Sequence, residues 1–382
     1  MTAWREMVSR IEALEGLAFD PQLVDEMQRR ASAGGAAAQN AIRFYTPSFK
    51  AYSSTEFSSC GRQAWPAVSI TGADCALQCD HCRGQLLKSM VPARTPEALW
   101  QVANEQIAAG AQGMLLSGGS NRRNEVDYAA FFPTIARIKT AFPTFRIAMH
   151  TALVGRDAAR RMEAAGVDVA MLDLIGAQDT VRQVYHLKRP VADFEAALAN
   201  LTETSMEVVP HIVIGLHFGH LLGEWNALEM VQRHRPAALV LVVIMPFYAA
   251  ATRPFATPRS DEVGRFFLDA RKALPDIPIR LGCARPPGKA KQEIDAYAVL
   301  AGLDGIAHPA EGAVELAVRR GLALHIEPSC CSVPAGVGIP NSVSSRPLLR
   351  MDIQGLVTPR PVDNGLAHSP AVSAAVGDSA LP

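Results

Sequence analysis

Three cysteines in the first quarter of the chain have the type and spacing of iron–sulfur ligands. Cys75, Cys79 and Cys82 form a C-x3-C-x2-C sequence. Three closely spaced thiolates can bind three irons of a four-iron cluster and leave the fourth iron without a protein ligand. A small molecule can bind at that open iron. We therefore predict a [4Fe-4S] cluster, with catalytic function, at these residues.

Two other interpretations of these thiols are a structural zinc site and ordinary buried cysteines. Together with His81 they could bind a structural zinc ion, which favours four such ligands. Zinc ligands usually come as two pairs, however, and no second pair with that spacing occurs. The thiols could also be ordinary buried cysteines. The spacing favours the iron–sulfur cluster over both.

Short apolar runs alternate with longer amphipathic stretches, which is typical of successive βα units. The continuous apolar run at 239–244 indicates a strand covered on both faces. Strands are predicted at 67–71, 113–117, 146–151, 169–174, 208–214, 238–245, 277–282 and 304–307. Helices are predicted at 96–109, 128–140, 156–165, 191–203, 223–233, 260–273, 290–301 and 311–320. Eight such pairs predict an α/β fold, a parallel (β/α)8 barrel of the TIM type.

The segments that flank these units have a different composition. Residues 1–60 are expected to form a helical extension that ends at Cys60, whose role stays open. Residues 61–334 would form the barrel with a C-terminal cysteine segment. Beyond that point Pro, Ser, Gly, Ala and Val dominate without periodicity, so residues 335–382 are predicted to be disordered.

A barrel would bring the cysteines to one face, because active sites of such barrels lie at the carboxyl ends of the strands. Cys75 follows the first predicted strand, and Cys283 ends the seventh. Cys330 and Cys331 follow an extended segment at 322–327, long enough to return to that face at about 3.3 Å per residue. Cys283, Cys330 and Cys331 are therefore candidate ligands of an auxiliary [4Fe-4S] cluster, with buried thiols as the alternative.

Composition limits the class of partner and the compartment. The 382 residues include 37 Lys and Arg and 37 Asp and Glu, so the net charge is zero and the basic excess of a nucleic-acid-binding protein is absent. The apolar run at 237–247 is too short to span a membrane. The N-terminal sequence lacks the apolar region of a signal peptide. We expect a cytoplasmic protein whose cysteines are metal ligands rather than disulfides.

The cysteine sequence resembles the signature of the radical S-adenosylmethionine (SAM) enzymes. The resemblance implies a barrel of βα units and an open iron that chelates the amino and carboxylate groups of SAM. One electron from the cluster would then cleave SAM to a 5′-deoxyadenosyl radical, which abstracts a hydrogen atom. Ser117, Gly118 and Gly119 resemble the start of the family's motif that contacts the SAM amino group, and Ser120 replaces the usual Glu.

Other residues acquire candidate roles from the same resemblance. His81 stands where an aromatic residue commonly packs near the adenine. The segment 209–217 loosely resembles the element that runs along the adenine. Polar groups at strand ends can contact SAM or substrate, and they can equally be satisfied structural groups. The candidates are His81, His150, Asp173, Arg182 and Ile214.

Across residues 41–334 the chain is similar to one subunit of the two-component lipoyl synthases. The matching pieces are IRFYTP at 42–47, SITG at 69–72, CDHCRG at 79–84, TVRQVYH at 180–186, GCARP at 282–286 and the pair Cys330–Cys331. The resemblance implies sulfur insertion into an octanoyl chain on a lysine of a lipoyl carrier protein, with the auxiliary cluster as sulfur source. It also implies a second radical SAM subunit and a low-potential electron donor. The motif of the single-chain lipoyl synthases, C-x4-C-x5-C, is absent.

Other functions are compatible with part of this pattern. A biotin synthase-like or metallocofactor-maturation enzyme would share the barrel and the first cluster without using the C-terminal cysteines. A radical SAM enzyme acting on tRNA would need a basic face. A non-enzymatic zinc or iron–sulfur protein would need no SAM pocket.

Overall fold

The structure is a computed structural model that describes residues 17–32, 40–47, 56 and 64–333. Cys60 and the tail at 335–382 lie outside the described residues. The described strands are β1 (Ala41–Tyr45), β2 (Ala67–Ser69), β3 (Val91–Pro92), β4 (Gly113–Ser117), β5 (Arg146–His150), β6 (Val169–Leu174), β7 (Glu207–Ile214), β8 (Leu239–Val243), β9 (Ile279–Leu281), β10 (Gly305–Ala307) and β11 (Ala323–Glu327).

All eleven strands join one parallel sheet in the order β11-β1-β10-β9-β8-β7-β6-β5-β4-β2-β3. The predicted α/β barrel fold is confirmed, and each of the eight predicted strands is present. Within the described residues the sheet ends at β3 and β11, so its hydrogen bonding does not close into an eight-stranded ring.

Strand β1 corrects the prediction for the N-terminal segment. Residues 1–60 were expected to be helical, yet Ala41–Tyr45 pairs with β10 on one side and β11 on the other. The strand's partners lie more than 250 residues further along the chain, so nothing local in the sequence indicates the pairing. The sheet therefore begins before residue 60.

Helices cover the outer face of the sheet. They are α1 (Pro21–Ser32), α2 (Pro96–Ala108), α3 (Phe132–Ala141), α4 (Arg156–Ala164), α5 (Gln178–Gln183), α6 (Ala192–Thr202), α7 (Glu224–His234), α8 (Ser260–Ala273), α9 (Lys289–Ala301) and α10 (Ala313–Arg319). The start of α2 shows how the sequence sets these bounds: Thr95 Oγ1 accepts a hydrogen bond from the Ala98 amide at 3.1 Å, and Pro96 occupies the first turn. None of the described helices combines the length and apolar character needed to cross a membrane.

Side chains point alternately to the two faces of the sheet, and the buried apolar residues therefore form two separate clusters. On β7, Val208, Ile212 and Ile214 belong to the large cluster that includes the helices. Val209 belongs to a smaller cluster on the inner face of the sheet. Since alternate residues of a strand point to opposite faces, His211 shares the inner face with Val209. On β7, therefore, the odd-numbered residues point into the inner cavity and the even-numbered residues point to the helices.

Candidate functional site

A cavity of about 540 Å³ lies inside the curved sheet at the carboxyl ends of the strands, and both groups of cysteines line it. Its polar lining comes from β2, β4, β5, β6, β7, β9 and the segment after β11. The residues with chemical potential are Cys75, Cys79, His81, Cys82, Ser117, Gly118, Gly119, Ser120, His150, Asp173, His211, Cys283, Cys330, Cys331 and Ser332. The sequence therefore predicted correctly that the two groups of cysteines lie at one end of the sheet.

The loop that carries Cys75 is hydrogen-bonded to the loop that follows β4. The amides of Ala76 and Leu77 donate to the carbonyl oxygen of Ser120 at 2.9 and 3.2 Å. The Gly119 amide donates to Thr71 Oγ1 at 2.7 Å. The first cysteine is thus held by the backbone of the loop predicted to bind SAM.

Gly119 makes this contact possible because it has no side chain. A Cβ atom there would lie 1.9 Å from the carbonyl oxygen of Asp74 and 2.6 Å from the Cα of Cys75. At Gly118 the nearest atoms would belong to the side chains of Ile70 and Val126, at 2.8 and 3.1 Å. Both glycines line the cavity, and Gly119 also lies directly against the cysteine loop.

The other end of the cysteine loop is fixed to the segment after α5. The Asp80 amide donates to the carbonyl oxygen of Val184 at 3.0 Å, and the Asp80 carboxylate pairs with His186 at 3.0 Å and Arg253 at 2.9 Å. His81 packs against Tyr185 with ring centroids 5.2 Å apart. Burial lowers the pKa of His81 to about 4, so its imidazole is neutral at pH 7.

The three thiols suit a metal cluster chemically. All three are free, and each lines the cavity. Burial raises the pKa of Cys82 to about 11 and that of Cys79 well above its ordinary value, with a further contribution from the neighbouring thiols. Buried thiols of this kind stay protonated unless a metal cation displaces the protons. The donor set therefore fits the predicted iron–sulfur cluster.

The second group of thiols belongs to the same cavity. Cys283 follows β9, and Cys330 and Cys331 follow β11. The buried guanidinium of Arg280 fixes the end of this segment, because its Nη1 donates to the carbonyl oxygens of Cys331 and Val333 at 2.7 and 3.0 Å. A hydrogen bond from the Cys331 thiol lowers the pKa of Cys330 to about 7, which favours its thiolate form.

A buried ion pair supports the strand end that carries Cys283. Arg285 and Asp295 are both completely buried, and the guanidinium also donates to the carbonyl oxygens of Gly282, Ala307 and His308. These contacts tie the ends of β9 and β10 together.

Three polar side chains lie side by side on the inner faces of the adjacent strands β5, β6 and β7. Asp173 Oδ1 lies 3.5 Å from His150 Nε2 and 4.0 Å from His211 Nδ1. The two imidazole rings stack with centroids 5.6 Å apart. Burial raises the pKa of Asp173, but the two histidines outweigh it, and the pKa falls to about 2. Burial lowers the pKa of His211 to about 4, whereas at His150 the charge of Asp173 outweighs burial and the pKa is raised.

Two predicted residues lie outside the cavity lining. Arg182 is on the exposed side of α5, where it pairs with Asp179 at 2.6 Å. Ile214 is buried against the outer helices, and its neighbour Val213 lines the cavity instead. The alternation of β7 explains the difference, since residues 211 and 213 share the inner face.

His211 and Ser332 are two hydrogen-bonded cavity residues that the sequence did not single out as candidates. His211 Nε2 lies 3.1 Å from Ser332 Oγ, so the strand is linked to the C-terminal cysteine segment. Counting inner-face positions back from the end of β7 would have selected His211. No comparable signal marks Ser332.

Comparison with solved structures places this geometry among known folds. The crystal structure of HydG, a maturase of the [FeFe]-hydrogenase, aligns over 81% of this chain and 70% of its own, with a TM-score of 0.54 and 13% identity. HydG from Carboxydothermus hydrogenoformans aligns over 79% and 71%, with a TM-score of 0.51 and 13% identity. The chain shares the barrel fold of these maturases. No protein-family model and no curated protein matches the sequence.

Proposed function

We propose that the chain is a radical SAM enzyme. The observation that supports this is the placement of Cys75, Cys79 and Cys82, as free thiols, beside the Gly118–Gly119 loop in one cavity. A [4Fe-4S] cluster on these thiols would supply one-electron reduction of bound SAM.

The chain's own residues would position SAM and keep its surroundings dry. Gly118 and Gly119 present bare backbone to the cavity, so a ligand can approach the main chain closely. The neutral ring of His81, packed at 31° against the buried ring of Tyr185, offers an uncharged aromatic wall. Loops hydrogen-bonded at both ends hold Cys75 and Cys82 in place, which limits the reorganisation needed during electron transfer.

Within this class we propose sulfur insertion into a protein-bound octanoyl chain. Its support is the second thiol group, Cys283, Cys330 and Cys331, which lines the same cavity as the first. An auxiliary cluster there would lie within reach of a substrate positioned beside SAM. Each insertion would exchange a C–H bond of the chain for a C–S bond: the hydrogen atom would pass to the 5′-deoxyadenosyl radical to give 5′-deoxyadenosine, the sulfur would come from that cluster, and the cluster iron would accept the remaining electron.

The mouth of the cavity suits an aliphatic chain. Leu86, Leu87, Met90, Phe247 and Tyr248 line it, and Phe247 is 61% exposed. An extended alkyl chain can remove this apolar surface from water, at about 0.8 kcal/mol per buried CH₂ group. A small polar substrate would gain nothing from such a wall.

Basic residues surround this mouth. Arg83, Lys88, Arg122 and Lys188 lie on loops that contribute lining residues, are exposed, and make no ion pair with the described carboxylates. These side chains give the loops around the cavity unpaired positive charge to which an acidic carrier could bind. We propose a lipoyl carrier protein with an acidic docking surface as partner, together with a second radical SAM subunit and a low-potential electron donor.

Mass spectrometry of an octanoyl-lysine carrier tests this function. The reconstituted chain, SAM and dithionite should add one or two sulfur atoms per carrier, with the second subunit supplied where one insertion is not enough. Substituting Cys283, Cys330 and Cys331 by Ala should abolish sulfur gain while 5′-deoxyadenosine still forms.

The controls distinguish the proposal that the chain cleaves SAM from the proposal that it inserts sulfur into an octanoyl chain. An unacylated carrier should gain no sulfur. SAM cleavage without sulfur gain from any octanoyl carrier, with and without the second subunit, would favour a metallocofactor-maturation or biotin synthase-like role. Absence of SAM cleavage in a chain with full iron content would refute the radical SAM assignment.

A further inference from the structure

The His150–Asp173–His211 cluster has the composition of a metal site that is separate from both groups of thiols. Its three potential ligand atoms, two imidazole nitrogens and one carboxylate oxygen, all lie within 4.8 Å of one another. They come from the adjacent inner-face ends of β5, β6 and β7, so regular hydrogen-bonded strands hold them in place.

Direct hydrogen bonding does not account for this arrangement. The 4.0 Å between Asp173 Oδ1 and His211 Nδ1 is too long for a hydrogen bond, and the 3.5 Å to His150 Nε2 lies at the outer limit. His211 Nδ1 is buried and has no hydrogen-bond partner among the described residues. A buried nitrogen of this kind costs free energy unless something else satisfies it.

A metal ion would satisfy all three groups at once. Zinc binds imidazole nitrogen and carboxylate oxygen at about 2.0–2.2 Å in tetrahedral geometry, so two ligand atoms of one ion lie about 3.4 Å apart. The 3.5 Å between Asp173 Oδ1 and His150 Nε2 matches this spacing, and the 4.0 Å to His211 Nδ1 exceeds it by about 0.6 Å, so the imidazole of His211 would move closer when the ion binds. Metal-binding histidines commonly engage their second nitrogen in a hydrogen bond, and His211 Nε2 does so with Ser332 Oγ at 3.1 Å.

We propose that His150, Asp173 and His211 form a mononuclear site for a divalent transition-metal ion. Two histidines and one carboxylate leave a coordination position open, as in catalytic zinc and non-haem iron sites. All three residues line the cavity, so that position would face the space between the thiol groups. A carbonyl oxygen or thiolate of a bound substrate is the class of ligand it would accept. This gives Asp173 a role other than the SAM contact expected from the sequence.

Zinc titration of the full chain tests the site without using catalysis. The chain is first reconstituted with iron and sulfide, so that the thiols are engaged, and then dialysed against Zn²⁺. We expect one Zn²⁺ per chain beyond the iron, and X-ray absorption at the zinc edge should show only nitrogen and oxygen ligands near about 2.0–2.1 Å. Zinc on a thiol would instead show sulfur near about 2.3 Å.

Four variants assign the ligands. H150A, D173N and H211A should each weaken zinc binding at least about tenfold, and S332A should weaken it by a similar factor through the orientation of His211. His220 is exposed and does not line the cavity, so H220A is the matched control and should bind like the parent.

Several outcomes would overturn the proposal: no zinc beyond the clusters, zinc with sulfur ligands, or unchanged affinity in H211A. If H211A proves unfolded by circular dichroism, D173N, which keeps the side-chain volume, decides the question. Because the readout is metal binding, failure of sulfur insertion leaves the result unaffected.

Discussion

Adding one methyl group at Gly119 should separate the cysteine loop from the loop after β4. In Gly119→Ala the new Cβ would lie 1.9 Å from the Asp74 carbonyl oxygen, and ordinary contact begins near 3.4 Å. The loops must therefore move apart by about 1.5 Å. The atoms in the way are backbone atoms of Asp74 and Cys75, so no side chain can rotate to make room.

This displacement is large compared with what a metal site tolerates. Ligand distances hold to within about 0.2 Å, and a misplacement of about 1 Å can cost about 100-fold in rate. We expect Gly119→Ala to lose much of the cluster iron and to form 5′-deoxyadenosine about 100-fold more slowly. Overpacking should also destabilise the fold by about 1–3 kcal/mol.

Two other glycines provide graded controls. In Gly118→Ala the nearest atoms are the Ile70 and Val126 side chains, which can adjust, so an intermediate loss is expected. Gly155 has open space around it and φ of −84°, so Gly155→Ala should keep parental iron content and SAM cleavage; because Gly155 caps helix α4, it should cost at most about 1 kcal/mol in unfolding. Iron content, 5′-deoxyadenosine by chromatography and urea unfolding provide the three readouts. A folded Gly119→Ala variant with parental iron and SAM cleavage would refute the steric argument.

Three further predictions follow from the described contacts. Substituting Cys75, Cys79 and Cys82 together by Ala should remove about half of the roughly eight irons expected for two cubanes; unchanged iron would contradict the assignment. Arg285→Met should cost about 3–5 kcal/mol in urea unfolding, because it leaves Asp295 buried without its partner, whereas Arg182→Met removes only an exposed pair worth about 0–1 kcal/mol. Lys88→Glu with Arg122→Glu should weaken carrier binding, measured by calorimetry and most strongly at low salt. Arg29→Glu, on the outer helix α1, should leave carrier binding unchanged. If it weakened binding as much as the Lys88→Glu and Arg122→Glu pair, docking at the mouth would be contradicted.

Much of the fold could be predicted because its strands are buried on both faces. Such strands form continuous apolar runs, and the start of helix α2 is marked by the capping side chain of Thr95. The short helix α5 was missed because six residues carry little periodicity. Strand β1 was missed because its neighbours are distant in sequence.

The candidate site was predictable where chemistry and spacing coincide. The cysteines have both a metal-binding side chain and a recognisable spacing, and each group follows the carboxyl end of a predicted parallel strand. Their common position at one end of the sheet could therefore be predicted. Ile214 was selected by a loose motif match, whereas side-chain parity on β7 places His211 and Val213 inside. The His150–Asp173–His211 cluster joins three strands, and only the register between them brings its atoms together.

Ser120 stands where the enzymes that the cysteine sequence resembles usually carry Glu, and the structure gives residue 120 a role that needs no side chain. The group at residue 120 that holds the cysteine loop is its carbonyl oxygen, which accepts from the amides of Ala76 and Leu77. The Cys75 thiol also points to this oxygen, at 3.8 Å. Every residue type supplies that carbonyl, so the loss of the Glu side chain leaves the anchoring of the first cysteine intact. Residue 119, in contrast, cannot carry a side chain, because a Cβ atom there would overlap the backbone of the cysteine loop at Asp74 and Cys75. The cysteine sequence and the glycine pair therefore act as one structural unit, in which residue 119 must lack a side chain and residue 120 contributes its carbonyl oxygen.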